Sequence, residues 1–324
     1  MRFIIFGAGA VGSVIGGRIF QRTHGHDVVL VARGAHRQAI ANDGLTINDP
    51  IGTVVLDIPV VDTIEDAAPG AGDVVILSMK TQDTEPALDR LAACAPPGIV
   101  VACAQNGVEN ERLALRRFAD VYGICVILPA TFIEPGVVDA NGTPHNAILD
   151  IGRYPRGTDA TAQAIADVFV TSGLPSRATP HVMAAKYAKL LLNLGNVVDA
   201  LAADPKETVG LVQRAKEEAI ACYRAAGISW TSDDDERARR AGVMEMRPID
   251  GRRRGGGSTW QSFVRGATTT EVDWLNGEIV LLGRLHGVPT PVNVMLCEIT
   301  REALASGAAP RSFATDELLA RVRV

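Results

Sequence analysis

The fold of this chain is decided near its amino terminus by the stretch Phe3-Ile4-Ile5-Phe6-Gly7-Ala8-Gly9-Ala10-Val11-Gly12. Its four consecutive apolar residues predict a buried strand, and the glycine pattern GxGxxG follows that strand directly. Residues 13–20 then favour a helix. A strand, a glycine-rich turn and a helix in this order are typical of a dinucleotide-binding unit, whereas the alternative is a turn that binds nothing. Of these two alternatives, we expect that this turn binds a dinucleotide.

Each glycine of this turn has a separate predicted task. Gly7 makes the tight turn, Gly9 lets the backbone approach a pyrophosphate, and Gly12 lets the helix pack closely on the strand. The phosphates would lie at the N-terminus of the helix, where backbone N–H groups favour an anion. The predicted cofactor-binding residues of the turn are Gly7, Ala8, Gly9, Ala10, Val11 and Gly12.

The end of the second predicted strand, residues 28–32, bears on the choice of cofactor. Arg33 follows that strand, at a place where an NAD-specific site prefers an acid. A carboxylate accepts from the ribose 2′-hydroxyl, whereas a guanidinium offers paired hydrogen bonds to a 2′-phosphate. Arg33 therefore favours NADPH and NADP+ as the cofactor. Arg37 is the alternative ligand of the 2′-phosphate, and the ordinary alternative is that Arg33 is a solvated surface residue without a ligand.

The two halves of the chain differ in their pattern of apolar residues. Further strands are predicted at residues 74–78, 99–102, 121–128 and 147–151, and their unbroken apolar runs suit a sheet covered on both faces. Later the spacing becomes helical, over residues 181–204, 206–226, 268–286 and 290–305. We expect an α/β fold: an N-terminal Rossmann-type doubly wound sheet over residues 1–178, then an all-α C-terminal domain over residues 179–324.

A polar segment, residues 231–257, interrupts the helical half. It contains DDDERARR and GRRRGGG and few apolar residues, so we expect a mobile loop that buries little. Its arginines invite an RNA-binding interpretation, which is weak because aromatic residues are not interleaved with them. A lid that brings an arginine to an anionic ligand is the intermediate interpretation.

Composition excludes several functional classes. Lys+Arg 32 against Asp+Glu 37 gives a net charge of −5, which does not attract nucleic acid or anionic membranes. Membrane spans and a signal peptide are not predicted. The five cysteines lack ligand spacing and are predicted to be thiols of a cytoplasmic protein. No metal site is expected, since His24 and His26 are interpreted as surface residues and the other histidines lie apart.

Two polar clusters stand out in the helical half. Lys186, Lys189, Asn193 and Asn196 follow helical spacing and share one face of a predicted helix. A wet surface face is the ordinary explanation, although asparagine is a poor helix former and needs a reason there. In the second cluster, residues 258–277, Ser258 is predicted to cap a helix and Glu271 lies near another helix start, where an acid is favourable anyway.

Taken together, these motifs resemble the ketopantoate reductase family of the 6-phosphogluconate-dehydrogenase-like superfamily. The matching pieces run through nearly the whole chain in the family's order, which makes the set specific although each piece is modest. They are GAGAVG at 7–12, the strand end at Arg33, SMK at 78–80, QNG at 105–107, the helix with Lys189 and Asn193, and residues 258–277 ending in EVDWLNG.

The resemblance implies hydride transfer from NADPH to the 2-keto group of ketopantoate, giving pantoate for pantothenate and coenzyme A synthesis. Lys189 would be the general acid that protonates the oxygen at C2, and Glu271 would orient the ammonium group of Lys189. This chemistry is sensible because hydride addition builds negative charge on that oxygen, and a nearby cation with a proton stabilises it.

The resemblance also assigns binding roles. Asn193, Asn196 and Ser258 would contact the hydroxyl and carboxylate of the substrate. Asn106 would lie near the nicotinamide and the substrate, and Lys80 near the cofactor ribose and phosphates. Lys80 and Asn106 follow predicted strands, and ligands of a doubly wound sheet bind at the carboxyl ends of its strands.

Three departures from the family pattern leave the substrate open. Asn196 follows Asn193 by three residues where the family commonly has four, Ser262 stands where many members carry an acid, and residues 231–257 form an unusually long segment. A paralogous NADPH-dependent reductase of another branched or aromatic 2-oxo acid is one alternative, and a non-catalytic NADP(H)-binding sensor is another. Residues 290–305 suit either the domain core or a homodimer interface.

Overall fold

The computed structural model describes residues 1–23, 27–252 and 255–321 and divides into two compact units. The first unit contains Met1–Lys186 and Ser232–Arg254, and the second contains Tyr187–Thr231 and Gly255–Val324. The predicted boundary after residue 178 lies just before this division, and the assignment of cofactor and substrate to separate domains stays a prediction. The two histidines before the second strand, His24 and His26, and part of the basic run, Arg253 and Arg254, lie outside the described residues.

All strands that the structure describes belong to the first unit. In chain order they are β1 (Phe3–Phe6), β2 (Val28–Val31), β3 (Leu45–Asp49), β4 (Gly52–Leu56), β5 (Val60–Val61), β6 (Val74–Leu77), β7 (Val100–Cys103), β8 (Asp120–Ile127), β9 (Ala130–Thr131), β10 (Val137–Ala140), β11 (Gly142–Pro144), β12 (Ile148–Arg153) and β13 (Met244–Met246). The main sheet has the order β12-β8-β7-β6-β1-β2-β5. Its neighbours are parallel except for β12, which runs antiparallel to β8.

Helices surround the sheet and dominate the second half of the chain. They are α1 (Ala10–Arg22), α2 (Gly34–Asp43), α3 (Thr84–Cys94), α4 (Asn110–Leu115), α5 (Ala160–Thr171), α6 (Val182–Asn193), α7 (Asn196–Leu201), α8 (Val209–Ala226), α9 (Asp233–Arg240), α10 (Ser258–Val264), α11 (Asn276–His286), α12 (Pro291–Ser306) and α13 (Thr315–Ala320). The predicted fold class, an α/β sheet domain followed by a helical domain, is confirmed.

The central strand β1 is buried on both faces of the main sheet. Phe3 and Ile5 pack in one core with α1 and α5, whereas Ile4 and Phe6 pack in the opposite core with α3. All four side chains are at most 2% exposed. Burying each of them contributes about 1.5–3 kcal/mol, which explains why this strand has no polar alternation.

A second sheet of the first unit, in the order β4-β3-β10-β9, was not among the predicted elements. Its strands have at most five residues, and β4 is largely exposed although it contains the apolar run Val54-Val55-Leu56. Because such strands resemble loops in composition, local sequence does not distinguish them from turns.

The segment 231–257 is more ordered than predicted. Ser232 caps α9 by accepting from the Asp235 N–H, and α9 has acids in its first turn and arginines in its last, which complements the helix dipole. Arg239 then donates two hydrogen bonds, of 2.9 and 2.6 Å, to the buried Asp150. After α9, β13 pairs antiparallel with β11. The prediction of a loop was therefore wrong, because the segment contains α9 and β13, whereas the prediction that it buries little is confirmed for α9, which has no buried residue.

The second unit is a helical bundle with its own core. The apolar face of α12, with Val292, Leu296 and Ile299, is buried within it. Glu218 on α8 accepts from the Val292 and Asn293 N–H groups at 2.8 and 3.0 Å and so satisfies the start of α12. Of the two predicted uses of residues 290–305, the domain core is therefore the one observed. None of the described helices combines the length and apolarity needed to cross a membrane.

A buried ion pair anchors the start of α6 within the first unit. Lys186 donates from Nζ to Glu111 Oε1 on α4 and, at 3.0 Å, to the carbonyl oxygen of Gln105. The two charged side chains are 3% and 0% exposed. Removing both charges from water is costly, and their mutual attraction together with the Gln105 carbonyl offsets that cost.

We expect Lys186→Met to lower the free energy of unfolding by about 3–5 kcal/mol, because it leaves the Glu111 charge buried without a partner. Urea titration followed by circular dichroism measures this loss. Lys206→Met, at an exposed lysine, is the matched control. The double variant Lys186→Met/Glu111→Leu should recover part of the loss, and no recovery would contradict the ion-pair explanation.

Candidate functional site

The glycine-rich turn between β1 and α1 is held against the end of β2. The N–H groups of Gly7 and Ala8 both donate to the Val31 carbonyl oxygen, at 3.1 and 3.0 Å. Gly7 has a φ of +97°, and a Cβ there would lie 2.6 Å from the Met79 nitrogen. A Cβ on Gly12 would lie 2.3 Å from Ser78 Oγ. The fold itself therefore requires glycine at both positions.

Gly9 differs, because packing does not demand it. Its φ is −83°, which any residue adopts, and a Cβ there would meet none of the described atoms within 4 Å. Gly9 also precedes the first turn of α1, and none of the described side chains caps that helix. Open space in front of an uncapped helix start fits a pyrophosphate group, so the residues present suit a dinucleotide.

Arg33 and Arg37, the two candidate ligands of a 2′-phosphate, are in different states. Arg37 donates to both oxygens of Asp62, at 2.9 and 2.6 Å, and these hydrogen bonds raise the pKa of Arg37 and lower the pKa of Asp62. Arg33 lies two residues after the end of β2, is exposed, and forms no ion pair with any described residue. Of the two, Arg33 is the guanidinium that is available to an anion.

Lys80 and Asn106 lie at one edge of the main sheet. Each follows its strand, β6 or β7, by three residues. The two strands are parallel neighbours, so their carboxyl ends meet at the same edge. Both side chains are partly exposed there. The structure thus brings these two predicted cofactor residues to the edge where such sheets bind nucleotides.

A buried polar network supports this edge, and the sequence analysis missed most of it. Asn110 donates from Nδ2 to the Asn106 carbonyl oxygen at 3.1 Å and to Thr81 Oγ1 at 3.2 Å. Gln105 donates from Nε2 to the Met79 carbonyl oxygen at 3.0 Å. These bonds tie the loop after β7 to the loop after β6. The only sequence signal was the polar run that follows Gln105, which also suits an exposed turn.

In the second unit, α6 carries Lys189 and Asn193 one turn apart. Lys189 is half-buried, whereas Asn193 is only 6% exposed. The Nδ2 group of Asn193 has no hydrogen-bond partner among the described residues. A buried amide donor left unpaired costs about 1–3 kcal/mol, so this group is suited to an acceptor that arrives from outside the fold.

The single helix that the sequence prediction extends through Asn196 is interrupted before this residue. α6 ends at Asn193, and α7 begins at Asn196 with Gly195 at its N-cap. The interruption between the two helices replaces the continuous helical spacing that the prediction assumed. The family's second helix asparagine, if Asn196 fills that role, therefore does so from a separate helix.

Ser258 and Ser262 have different roles in α10. Ser258 is the first residue of α10, and the N-cap is Gly257, so the prediction that Ser258 caps this helix was wrong. Ser262 is fully buried and donates from Oγ to the Ser258 carbonyl oxygen at 2.9 Å. This hydroxyl bond therefore lies within α10.

Glu271 lies in the second unit in a 3₁₀ turn, Glu271–Trp274, rather than in an α-helix. It is 7% exposed, so it is not the solvated acid of an ordinary helix start. Lys189 and Glu271 both have interactions within the structure. The second unit thus supplies an ammonium, a carboxylate, amides and a hydroxyl, which are groups that bind and protonate an oxygen-rich anion. Within the described ranges, no three His, Cys, Asp or Glu side chains gather as metal ligands.

Known proteins match this chain over nearly its whole length. The model of the ketopantoate reductase PanE/ApbA family matches residues 3–156, and the model of its C-terminal part matches residues 182–303. A 2-dehydropantoate 2-reductase of Pyrococcus horikoshii is 27% identical over 317 residues, covering 95% of this chain and 99% of the relative.

Solved structures agree with these matches. A PanE/ApbA family ketopantoate reductase from Ralstonia eutropha JMP134 has a TM-score of 0.79 and 28% identity, covering 95% of this chain and 99% of its own. A D-mandelate dehydrogenase solved with NADH and anilino(oxo)acetate shares the fold, with a TM-score of 0.77, 24% identity and coverage of 95% and 99%. Since the two family models together span most of the sequence, this chain belongs to the ketopantoate reductase family, a family of oxidoreductases.

Proposed function

We propose that this protein reduces a 2-keto acid with NADPH and that its substrate is ketopantoate (2-dehydropantoate), which becomes pantoate. The observation that carries the proposal is the buried, unpartnered amide of Asn193, one helical turn after Lys189. An amide donor beside an ammonium group suits a substrate with a hydroxyl, a keto oxygen and a carboxylate. Relatives named 2-dehydropantoate 2-reductase, aligned over 95% of the chain, support this substrate.

The first unit would hold the cofactor, which supplies the hydride when bound. The turn of residues 7–12 would receive the pyrophosphate, because Gly9 leaves space and α1 is uncapped. Arg33 would bind the 2′-phosphate, since Arg37 is already paired with Asp62. Lys80 would contact the ribose and phosphates, and Asn106 would lie near the nicotinamide.

Residues of the second unit would bind and protonate the substrate. Asn193, Asn196 and Ser258 would hold its hydroxyl and carboxylate. As the C2 carbonyl is reduced, its oxygen gains negative charge, and Lys189 would donate a proton from Nζ to form the product hydroxyl. Glu271, a buried carboxylate, would orient that ammonium group.

A second candidate is the reduction of another 2-oxo acid by the same residues. Ser262 favours it, because its hydroxyl is turned to the Ser258 carbonyl oxygen at a position where many family members carry an acid. If that acid faces the substrate in those members, this chain would lack one charge there. A pocket changed in this way would accept a different side chain without a change in the reaction.

The function is tested by following NADPH oxidation with three substrates in turn. The first is ketopantoate, the second is a branched aliphatic 2-oxo acid that lacks a hydroxyl, and the third is a phenyl-substituted 2-oxo acid. We expect the highest kcat/KM with ketopantoate and a strong preference for NADPH over NADH. A preference for either other acid would favour the second candidate. Binding of NADPH without turnover of any acid would indicate a non-catalytic sensor and overturn the proposal.

Arg33→Asp should raise the Kd of NADPH at least tenfold and leave the Kd of NADH nearly unchanged. Hydrogen bonds to a charged group contribute about 1.5–3 kcal/mol, and the new carboxylate also repels the 2′-phosphate. Titration of cofactor fluorescence measures both constants. Arg37→Gln is the comparison and should bind NADPH like the parent protein; the reverse pattern would assign the phosphate to Arg37.

Lys189→Ala should lower kcat by about a hundredfold or more if this lysine protonates the substrate oxygen. Its Kd for NADPH should not change, because the cofactor residues lie in the first unit. Steady-state kinetics and cofactor titration separate the two effects. Lys206→Ala, at an exposed lysine of the same unit, is the control. A kcat near that of the parent protein would remove Lys189 from the reaction.

A further inference from the structure

Asp199 and Arg311 in the second unit surround the glycine run that leads into Ser258. Arg311 donates from Nη2 to Asp199 Oδ1 at 3.1 Å and to the Gly255 carbonyl oxygen at 2.8 Å. Asp199 Oδ2 in turn accepts from the Gly257 N–H at 2.8 Å. We call this arrangement the Asp199–Arg311 clamp. It holds both ends of the glycine run from one side.

The other side of the run is closed by Trp260. A Cβ on Gly255 would lie 1.9 Å from Cη2 of this indole, and a Cβ on Gly256 would lie 2.6 Å from its Cγ and 2.9 Å from Asp199 Oδ2. The Arg311 guanidinium lies 5.8 Å from a ring centroid of the indole. Gly255 and Gly256 are therefore glycines because side chains do not fit between Trp260 and the clamp.

The clamp connects two residues assigned to the substrate. Asp199 lies one turn after Asn196 in α7, and Gly257 precedes Ser258 at the start of α10. A Cβ on Gly257 would lie only 3.6 Å from Asn196 Oδ1, so the two helix starts are adjacent. Fixing the Gly257 N–H to Asp199 therefore fixes where Ser258 stands relative to Asn196.

The backbone of Arg311 shows that this geometry is strongly imposed. Its φ is +59°, a conformation that residues with side chains rarely adopt. The Arg311 N–H donates to the Ala200 carbonyl oxygen on α7 at 2.7 Å, and the side chain bonds Asp199 in the same helix. Such strained residues persist only where surrounding contacts determine them, and they cluster at ligand sites.

Charge gives the clamp a second consequence. Asp199 is a carboxylate placed one turn from Asn196 and bonded to the residue before Ser258, where a carboxylate substrate would bind. Without a counter-charge it would repel such an anion, since like charges side by side are unfavourable. Arg311 neutralises Asp199 and leaves its oxygen able to accept from the Gly257 N–H.

We propose that Asp199 and Arg311 are positioning residues for the carboxylate of the 2-oxo acid. They act through Ser258 and through the local charge and do not themselves contact the substrate. This inference rests on the proposed function, because it takes the anion near Asn196 and Ser258 to be the substrate. It adds two residues that the family resemblance did not assign.

The test compares Arg311→Met with Arg311→Met/Asp199→Asn. The single variant should raise the KM of ketopantoate about tenfold or more, because Asp199 then repels the substrate. Its kcat and its Kd for NADPH should change less than about twofold. The double variant should restore most of the KM, because the asparagine oxygen still accepts from the Gly257 N–H and carries no charge. Arg321→Met, which loses the ion pairs to Glu302 and Glu317, is the control and should keep the parent KM.

A merely structural clamp predicts something else: a lowered Tm, kcat and KM changed together, and no rescue by Asp199→Asn. That result, or an unchanged KM in Arg311→Met, overturns the inference. Gly256→Ala serves as an independent variant if Arg311→Met does not fold, since its Cβ displaces the run without altering charge. It should raise KM without changing the Kd for NADPH, and an unchanged KM would again contradict the clamp.

Binding of the product separates this inference from the proposed function. Pantoate is titrated into protein saturated with NADP+, with heat as the signal. Clamp-dependent binding of pantoate without turnover of any 2-oxo acid would leave the clamp standing and overturn the reductase. Turnover with a KM unaffected by Arg311→Met would do the opposite, and absence of both turnover and pantoate binding would overturn both.

Discussion

The burial of β1 on both faces of the main sheet is the constraint on which the rest of the first unit depends. Four consecutive apolar side chains with at most 2% exposure tie α1 and α5 to one face and α3 to the other. Because β1 lies between β2 and β6, the loops after these strands emerge at one edge. The glycine turn, Arg33 and Lys80 therefore belong to the same edge of the sheet.

Close packing at that edge separates two kinds of glycine. Gly7 and Gly12 have no room for a side chain even without a ligand, so their presence follows from the fold. Gly9 has room, and the proposed pyrophosphate, by approaching the backbone, would explain its place in the motif. Within one glycine motif, some glycines are thus required by packing and others by a ligand. The space around each Cα distinguishes the two kinds.

Two ion pairs, one buried and one partly exposed, stabilise backbone next to predicted binding residues. Lys186 pairs with Glu111, 75 positions away, and supports the carbonyl that precedes Asn106. Arg311 pairs with Asp199, 112 positions away, and supports the residue that precedes Ser258. In each case one member of the ion pair also bonds to backbone next to a predicted binding residue and so fixes the position of that segment.

The sequence by itself determined the main-sheet strands, the glycine-rich turn after β1, the helical second half and the family. Local patterns of a few residues predict strand β1, the GxGxxG turn and the helices of the second half. Such patterns are visible in the sequence because they depend only on neighbouring residues. The roles of Lys189, Glu271, Asn193 and Ser258 were carried by motif order, and they stay predictions. Tertiary structure alone decided the helix interruption before Asn196, the pairing of Arg37 with Asp62, and the formation of α9 and β13 within the polar segment. Those features depend on partners brought together by folding, such as Asp62 for Arg37 and Asp150 for Arg239, and no local pattern encodes which distant charge a side chain will meet.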